Sequence, residues 1–442
     1  MIRKLFGTPS YTVAWLGAVA IALLGFTTPE YLKYWYILSA MWLMNTFLYR
    51  HIEQCYGSKS FRAMYVLMFV LPLVVECAAL VVPYHSWNPF FRSVSTSFVL
   101  TYVLFMQMVV AVLGCGCFHH WYRQGRGKAL SVVVRRRYLG VAYSMFVLCF
   151  ACYMVGAVYG KNHVVLRRAT VEVNQLPAAF DGYKIVQLSD FHLGSMYNRN
   201  TMARIVDSVN ALNPDMIAVT GDVVTLSSGE MRPFLSILRR LKAKDGVYMV
   251  LGNHDYVRYP YFPSPEVKTA DSIAFISMIV DSLRWNLLCD QSRLILRNAD
   301  TMVVAGSQYI GLPPLKKIKL VGDNTYSYGD LARTLKGAEG YHTVILLTHN
   351  PVVWTREVIQ RYPFVDLTLS GHTHAGQMGL YAKSYANQNV GYNAKTKAGL
   401  FHYADQSLYI NAGIGTSAMH CRFLIFPEIT LITLTAPNGK SI

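Results

Sequence analysis

Acidic residues are almost absent from the first third of this chain, and that restricts the fold more than any other feature. Residues 1–162 hold Glu30, Glu53 and Glu76 as their acids, against 14 Lys or Arg, and five long apolar runs lie between the basic residues. The runs cover 11–27, 34–49, 64–82, 97–118 and 138–159. A helix needs about 20 apolar residues to cross bilayer hydrocarbon, within a range of about 17–25. Core helices of a soluble domain would need a polar coat that this region lacks. The expectation is a membrane domain over 1–162, an N-terminal bundle of about five transmembrane helices. The run at 34–49 is the shortest. Arg3 and Lys4 give the first run the look of a signal peptide, but no clear small-residue cleavage site follows, so it reads as a retained helix.

The formal charge is +17, of which +11 falls in 1–162 and +6 in the remainder. A nucleic-acid surface would be basic and polar with interleaved aromatics. Basic loops between apolar runs instead mark membrane topology, and membrane lipids rather than nucleic acid are the expected partner. The loop with Arg123, Arg126, Lys128, Arg135, Arg136 and Arg137 should face the cytoplasm. Five spans then put the rest of the chain on the extracytoplasmic side; four would reverse this. Glu76 follows Pro72 in the third run, where an ionised carboxylate costs about 2.5–3.5 kcal/mol. Cys115, Cys117, His119 and His120 could hold a metal on paper, but read better as a membrane helix end. A bridge between Cys289 and Cys421 is compatible with the sequence without being readable from it.

From 163 the texture changes. Residues 164–173 alternate as a strand does, and apolar β-rich runs at 183–188, 216–220, 247–251, 343–348 and 366–370 are spaced by helical patterns at 201–212 and 231–242 and between the last two runs. A hairpin is expected at 293–296 and 301–305, late strands at 408–410 and 428–434, and a long loop at 381–397. This is an α/β domain over 163–442. Five of its strands end in polar clusters: Asp190-Phe191-His192, Gly221-Asp222, Gly252-Asn253-His254-Asp255, His349-Asn350 and Gly371-His372-Thr373-His374. Carboxyl ends of strands are where α/β sheets bind ligands. Imidazole and carboxylate together suit borderline divalent metals such as Mn, Fe and Zn. Asp190 and His192 can reach one ion, the two oxygens of Asp222 can bridge two, Asn253 offers a neutral oxygen, and His349, His372 and His374 add imidazoles. Two metals about 3.5–4 Å apart can activate a water and hold a phosphate in line.

This order of clusters resembles the calcineurin-like metallophosphoesterase superfamily over roughly 167–434, and within it the membrane-associated branch, on the run 176–190 and on Pro427-Glu428-Ile429-Thr430-Leu431-Ile432-Thr433-Leu434. The resemblance implies a two-sheet β-sandwich flanked by helices. It implies a first metal on Asp190, His192, Asp222 and His374, and a second on Asp222, Asn253, His349 and His372. It makes His254 the residue facing the scissile phosphate, with Asp255 orienting its imidazole. Ala375 and Ala412 depart from the pattern. Ala412 stands where relatives commonly have a basic residue, so Arg199, Arg258 or the Lys383, Lys395 and Lys397 loop become candidates for the phosphate contact. The expected activity is hydrolysis of a phosphoester that is lipid-linked or extracytoplasmic. The alternatives are a non-catalytic metal-binding module, and a regulatory domain on a membrane sensor or transporter in which Glu76 acts.

Overall fold

The computed structural model describes residues 19, 108–109, 111–128, 131–196, 198–258, 262, 264–311, 328–379, 398–417 and 419–437. The chain divides into two compact units, 1–154 and 155–442. In the first, 111–124 is helical, and helix α1 (Val132–Val158) runs on into the second unit. The segment Val132–Asn162, in which an 18-residue window reaches a mean hydropathy of 2.0, is the one candidate membrane span among the described residues. Its length and composition meet the bilayer requirement. The apolar runs at 34–49 and 64–82, with Glu76, lie outside the described residues, as do all of 11–27 but residue 19, and 97–107 and 110 of the fourth run. Cys115, Cys117, His119 and His120 share the helical stretch, and no metal-holding group forms there among the described residues. Cys289 and Cys421 are free thiols, not a bridge.

The second unit is built from two six-stranded mixed sheets. The first has the order β1 (Val165–Glu172), β12 (Glu428–Thr435), β2 (Lys184–Leu188), β3 (Met216–Val219), β4 (Val247–Met249) and β5 (Asn286–Leu287). The second has the order β10 (Gly399–Tyr403), β11 (Gln406–Ile410), β9 (Leu367–Ser370), β8 (Val344–Leu347), β7 (Asp300–Gly306) and β6 (Gln291–Arg297). Strands β2 to β5 are parallel, as are β7, β8, β9 and β11, so two sets of carboxyl ends are available.

The two-residue period of a strand explains the layering. Ile185, Met216, Ala218 and Tyr248 on one sheet join Val304, Ile345, Leu347 and Leu369 on the other in a single inter-sheet core. Their neighbours Val186, Ile217, Val219 and Met249 face outward into a cluster with Met202, Ile205 and Val209 of α2 (Arg199–Ala211) and Phe275 of α3 (Pro265–Ser277). On the other outer face, Val303, Val344, Leu346 and Leu408 pack with Trp354 and Leu331. The sandwich flanked by helices is therefore observed, in place of the single open sheet that strand–helix alternation alone suggests.

The helix expected at 231–242 is reduced to a 3₁₀ segment, Ser228–Phe234, and one turn, Leu235–Leu238. Pro233 lies inside it and has no N–H to continue an α-helical ladder. Helix α3 carries its own start signal, with Ser264 accepting from the Val267 N–H and Pro265 in the first turn.

Ile345 is fully buried between the sheets. Ile345→Ala should cost about 2–5 kcal/mol, the transfer loss plus the cavity. Thermal unfolding of the detergent-solubilised chain would show this as a clear fall in midpoint, and an unchanged midpoint would contradict the inter-sheet placement.

Candidate metal centre

Five strands of the two sheets, β2, β3, β4, β8 and β9, end at one place, and the turns after β2, β3 and β9 are strained. Asp190 (φ 48°), His192 (φ 40°), Asp222 (φ 55°), His372 (φ 73°) and His374 (φ 50°) all sit in the left-handed region. Each such residue costs about 1–3 kcal/mol and persists where its surroundings over-determine it. Here the surroundings are hydrogen bonds. The N–H of Asp190 donates to Gly221 O (2.9 Å), that of His192 to Asp222 O (3.0 Å), and that of Gly415 to Asp190 O (2.7 Å). Gly371 has to be glycine: a Cβ there would stand 1.9 Å from Ser189 Oγ and 2.3 Å from Asp190 Oδ2.

The side chains converge. His192 Nε2 lies 3.1 Å from His374 Nε2, and Asp190 Oδ1 lies 3.4 Å from His374 Nε2. His349 Nε2 lies 3.1 Å from His372 Nδ1. Between the two pairs stands Asp222, its Oδ2 3.5 Å from His192 Nε2 and 3.2 Å from His349 Nε2. Three groups suited to a metal result: Asp190, His192 and His374; His192, Asp222 and His254; Asp222, His349 and His372. Ligands at about 2.1 Å from a metal lie roughly 3.0–3.4 Å apart along the edge of its coordination polyhedron. The ring-nitrogen spacings match that edge, so the donor set fits two divalent cations sharing Asp222. Asn253 is buried on the same turn, between Gly252 and His254, and the His254 N–H donates to Asp222 Oδ1 (2.8 Å).

The electrostatics agree with cation binding. Burial opposes ionisation of Asp222, but His349 and His254 hold its carboxyl well below the usual range. Burial and the neighbouring His254 push His192 well below its ordinary value; burial and His192 do the same for His374. Burial and His349 lower His372 to about 3. These three imidazoles are neutral and can serve as ligands. His349 differs. Burial would lower it, but Asp222 raises it to about 9, with help from Asp190 and the Thr220 carbonyl, which accepts from Nδ1 at 2.7 Å.

Asp255 has a different place from the one expected. Its carboxylate accepts from the backbone N–H groups of Asp222 (2.8 Å), Gly252 (2.9 Å), Val223 (2.8 Å) and Val224 (3.2 Å). The hydrogen bond that orients His254 runs from its Nδ1 to the Thr225 carbonyl (2.8 Å). Asp255 therefore ties the Asp222 turn to the His254 turn. Burial and the nearby Asp222 raise its carboxyl to about 7.

Of the basic residues considered for a phosphate contact, Arg199 donates to Ser236 Oγ (3.4 Å) and Arg258 lies over the Tyr328 ring. Lys383, Lys395 and Lys397 lie outside the described residues. The basic side chain at the centre is Arg422. Fully buried, it donates through Nη2 to Ala412 O (2.9 Å) and Gly415 O (2.6 Å), 3.4 Å from His374 Nδ1. Its remoteness from the motifs in sequence hid it. Tyr309 was also unforeseen, with its ring about 6 Å from those of His349 and His372. It follows the carboxyl end of β7, so the strand-end rule could have found it. Glu230 accepts from the N–H groups of Gly194, Thr225 and Leu226 and braces both loops.

Residues 183–376 match the family described as "Calcineurin-like phosphoesterase". The chain is 27% identical over 281 residues to "Uncharacterized metallophosphoesterase YkuE" of Bacillus subtilis, covering 61% of this chain and 85% of that one. It is 28% identical over 301 residues to "Transmembrane protein with metallophosphoesterase domain" of Danio rerio, covering 66% of this chain and 63% of that longer relative. It is 28% identical over 282 residues to "UDP-2,3-diacylglucosamine pyrophosphatase LpxG" of Chlamydia trachomatis, covering 58% of this chain and 84% of that one. The similarity to calcineurin-like phosphoesterases over 183–376 lies within the second compact unit and spans all five ligand-bearing strand ends.

Two outcomes follow from the geometry. Without metal, His349 carries a proton below about pH 9, so cations must displace it. Uptake near neutral pH should release about one proton from this site, and apparent affinity should fall roughly tenfold per unit as pH drops. Calorimetry in buffers of different ionisation enthalpy measures the release, and uptake without it would contradict the arrangement. Asp255→Asn would turn an amide NH₂ toward two backbone N–H donors, each costing about 1–3 kcal/mol. Lower thermal stability and lower metal content should appear together; loss of neither would remove the bracing role.

Proposed function

We propose that this chain is a membrane-anchored, dinuclear-metal phosphoesterase. The observation that carries the reading is Asp222 Oδ2 standing between His192 and His349, at 3.5 and 3.2 Å, in two separate ligand groups. Asp190, His192, Asp222 and His374 would hold one cation; Asp222, Asn253, His349 and His372 would hold the other. Bound Mn, Fe or Zn would supply water activation and charge neutralisation on a phosphoryl group.

The residues do the rest. His254 is fixed through Nδ1 by the Thr225 carbonyl, so Nε2 is its reactive nitrogen. Its ring meets that of His192 edge-on at 4.8 Å, beside the ligand cluster. In that position a proton on Nε2 can stabilise phosphoryl charge or pass to the departing oxygen. Asp255 holds the turn that presents it.

Segment Val132–Asn162 and relatives named as transmembrane proteins support a membrane anchor. In this reading the anchor has about five spans and the domain is extracytoplasmic. The substrate is lipid-linked, a class consistent with the diacylglucosamine pyrophosphatase named among the relatives. The non-catalytic alternative is disfavoured because the whole expected ligand set is present and all but one of its side chains are in the three metal-suited groups.

The test is hydrolysis of bis-p-nitrophenyl phosphate by the detergent-solubilised chain with Mn. His254→Ala should lower kcat by about 10²–10⁴-fold while metal content is kept. Asp222→Ala should lose metal and activity together. Full activity in Asp222→Ala would overturn the proposal.

A further inference from the structure

The turn that leads into β12 carries four consecutive apolar side chains, Phe423, Leu424, Ile425 and Phe426. Turns are ordinarily polar. Ile425 is buried, Phe423 and Phe426 are half-buried, and Leu424 is 42% exposed. Leu424 also holds φ at 64°, in the left-handed region, where a bulky residue is an outlier. A strained backbone that turns a leucine outward gains nothing from water.

Three features identify what covers this face. The first is continuity. The apolar surface runs on to the end of α1, where Val158 is 65% and Tyr159 55% exposed. The Phe426 ring meets that of Tyr159 edge-on at 6.2 Å and that of His163 at 4.8 Å. The second is depth. From 138, just past Arg135, Arg136 and Arg137, to its end at Val158, α1 rises about 32 Å at about 1.5 Å per residue. Bilayer hydrocarbon is about 30 Å thick. The helix therefore leaves the hydrocarbon near Tyr159, a residue type enriched at that boundary. The Arg422 N–H donates to Gly156 O (3.1 Å), three residues earlier, so the turn begins about 4.5 Å below the exit plane. The third is charge. Residues 155–171 and 411–427 contain no Asp or Glu, while Lys161, Arg167 and Arg168 follow the helix end. An apolar tip with a basic rim suits an anionic lipid surface.

The same turn is tied to the metal centre. The Phe423 N–H donates to Gln377 O (3.0 Å) and the Gly379 N–H to Phe423 O (3.3 Å), directly after His374 in the chain. Arg422 Nη2 lies 3.4 Å from His374 Nδ1. One side chain therefore spans from the turn to a metal ligand.

We propose that 423–426 is a membrane-docking turn, seated at the headgroup–acyl boundary of the leaflet from which α1 emerges and covered by anionic phospholipid. The inference rests on the membrane-anchor reading. Docking in this way holds the metal ligands beside the headgroup layer, where a lipid-linked phosphoester is presented.

The test uses the full chain in nanodiscs of phosphatidylcholine and phosphatidylglycerol. Under hydroxyl-radical footprinting, Leu424 and Phe426 should stay unoxidised while Leu296, exposed on β6, is oxidised. Oxidation of Leu424 to the extent of Leu296 overturns the docking. Val147, exposed along α1, reports on the anchor separately. Protection of Val147 with oxidation of Leu424 rejects the docking turn and leaves the anchor standing. Oxidation of Val147 rejects the anchor, and Leu424 then decides whether the turn docks without it. The cover is identified by irradiating Leu424→p-benzoylphenylalanine in the same nanodiscs. A phospholipid adduct supports the proposal. An adduct to another peptide of this chain, or no adduct, overturns it.

Discussion

The whole centre depends on one carboxylate. Asp222 is 2% exposed, at a strand end, with imidazoles on both sides of Oδ2. A buried charge is tolerated when it is paired and hydrogen-bonded. Oδ1 takes the His254 N–H, and the residue's own N–H is held by Asp255, so the side chain has little freedom to turn away. His349, raised to about 9 by this carboxylate, marks where positive charge is most needed. The site is organised around negative charge that cations complete.

That organisation reaches through the core. One sheet brings Asp190, His192, Asp222, Asn253 and His254; the other brings His349, His372 and His374. Each ligand group draws on both sheets or on neighbouring loops of one. The spacing of His192 from His374 is therefore set by how Ile185, Ala218, Ile345 and Leu369 fill the space between the sheets. Packing at the inter-sheet core and geometry at the metal rim are one mechanical problem. Side chains close-packed to crystal density transmit small shifts instead of absorbing them.

Much of this was legible. The runs before Asp190, Asp222, Asn253, His349 and His372 are apolar and β-rich because their strands are buried on both faces, and the ligand types stand where those runs stop. The hairpin of β6 and β7 and the late strands β11 and β12 were readable for the same reason. What periodicity could not tell was which strands share a sheet, since β2 and β8 look alike but sit in different layers. Pro233 breaks a helical pattern that apolar spacing alone would continue to 242. The family resemblance implied that Asp255 orients the imidazole of its neighbour His254. The left-handed turns direct the carboxylate to four backbone N–H groups instead. Arg422 and Thr225 act on residues far along the chain or through a carbonyl, and neither relation leaves a trace in local pattern.

Residues 155–162 bear on what the apolar helix is for. A flexible tether would need only length, and any polar linker would serve. Here Gly156 and Gly160 lie four apart, so they share one helical face, and both meet the backbone of Arg422. Arg422 in turn lies 3.4 Å from His374 and bonds the carbonyls of Ala412 and Gly415. A side chain at Gly160 would move that backbone, and with it an arginine that has no spare room at 0% exposure. The helix end is therefore a structural component of the second unit. Residues 155–162, seated in this way, constrain the Arg422 backbone and so the side chain that stands beside His374.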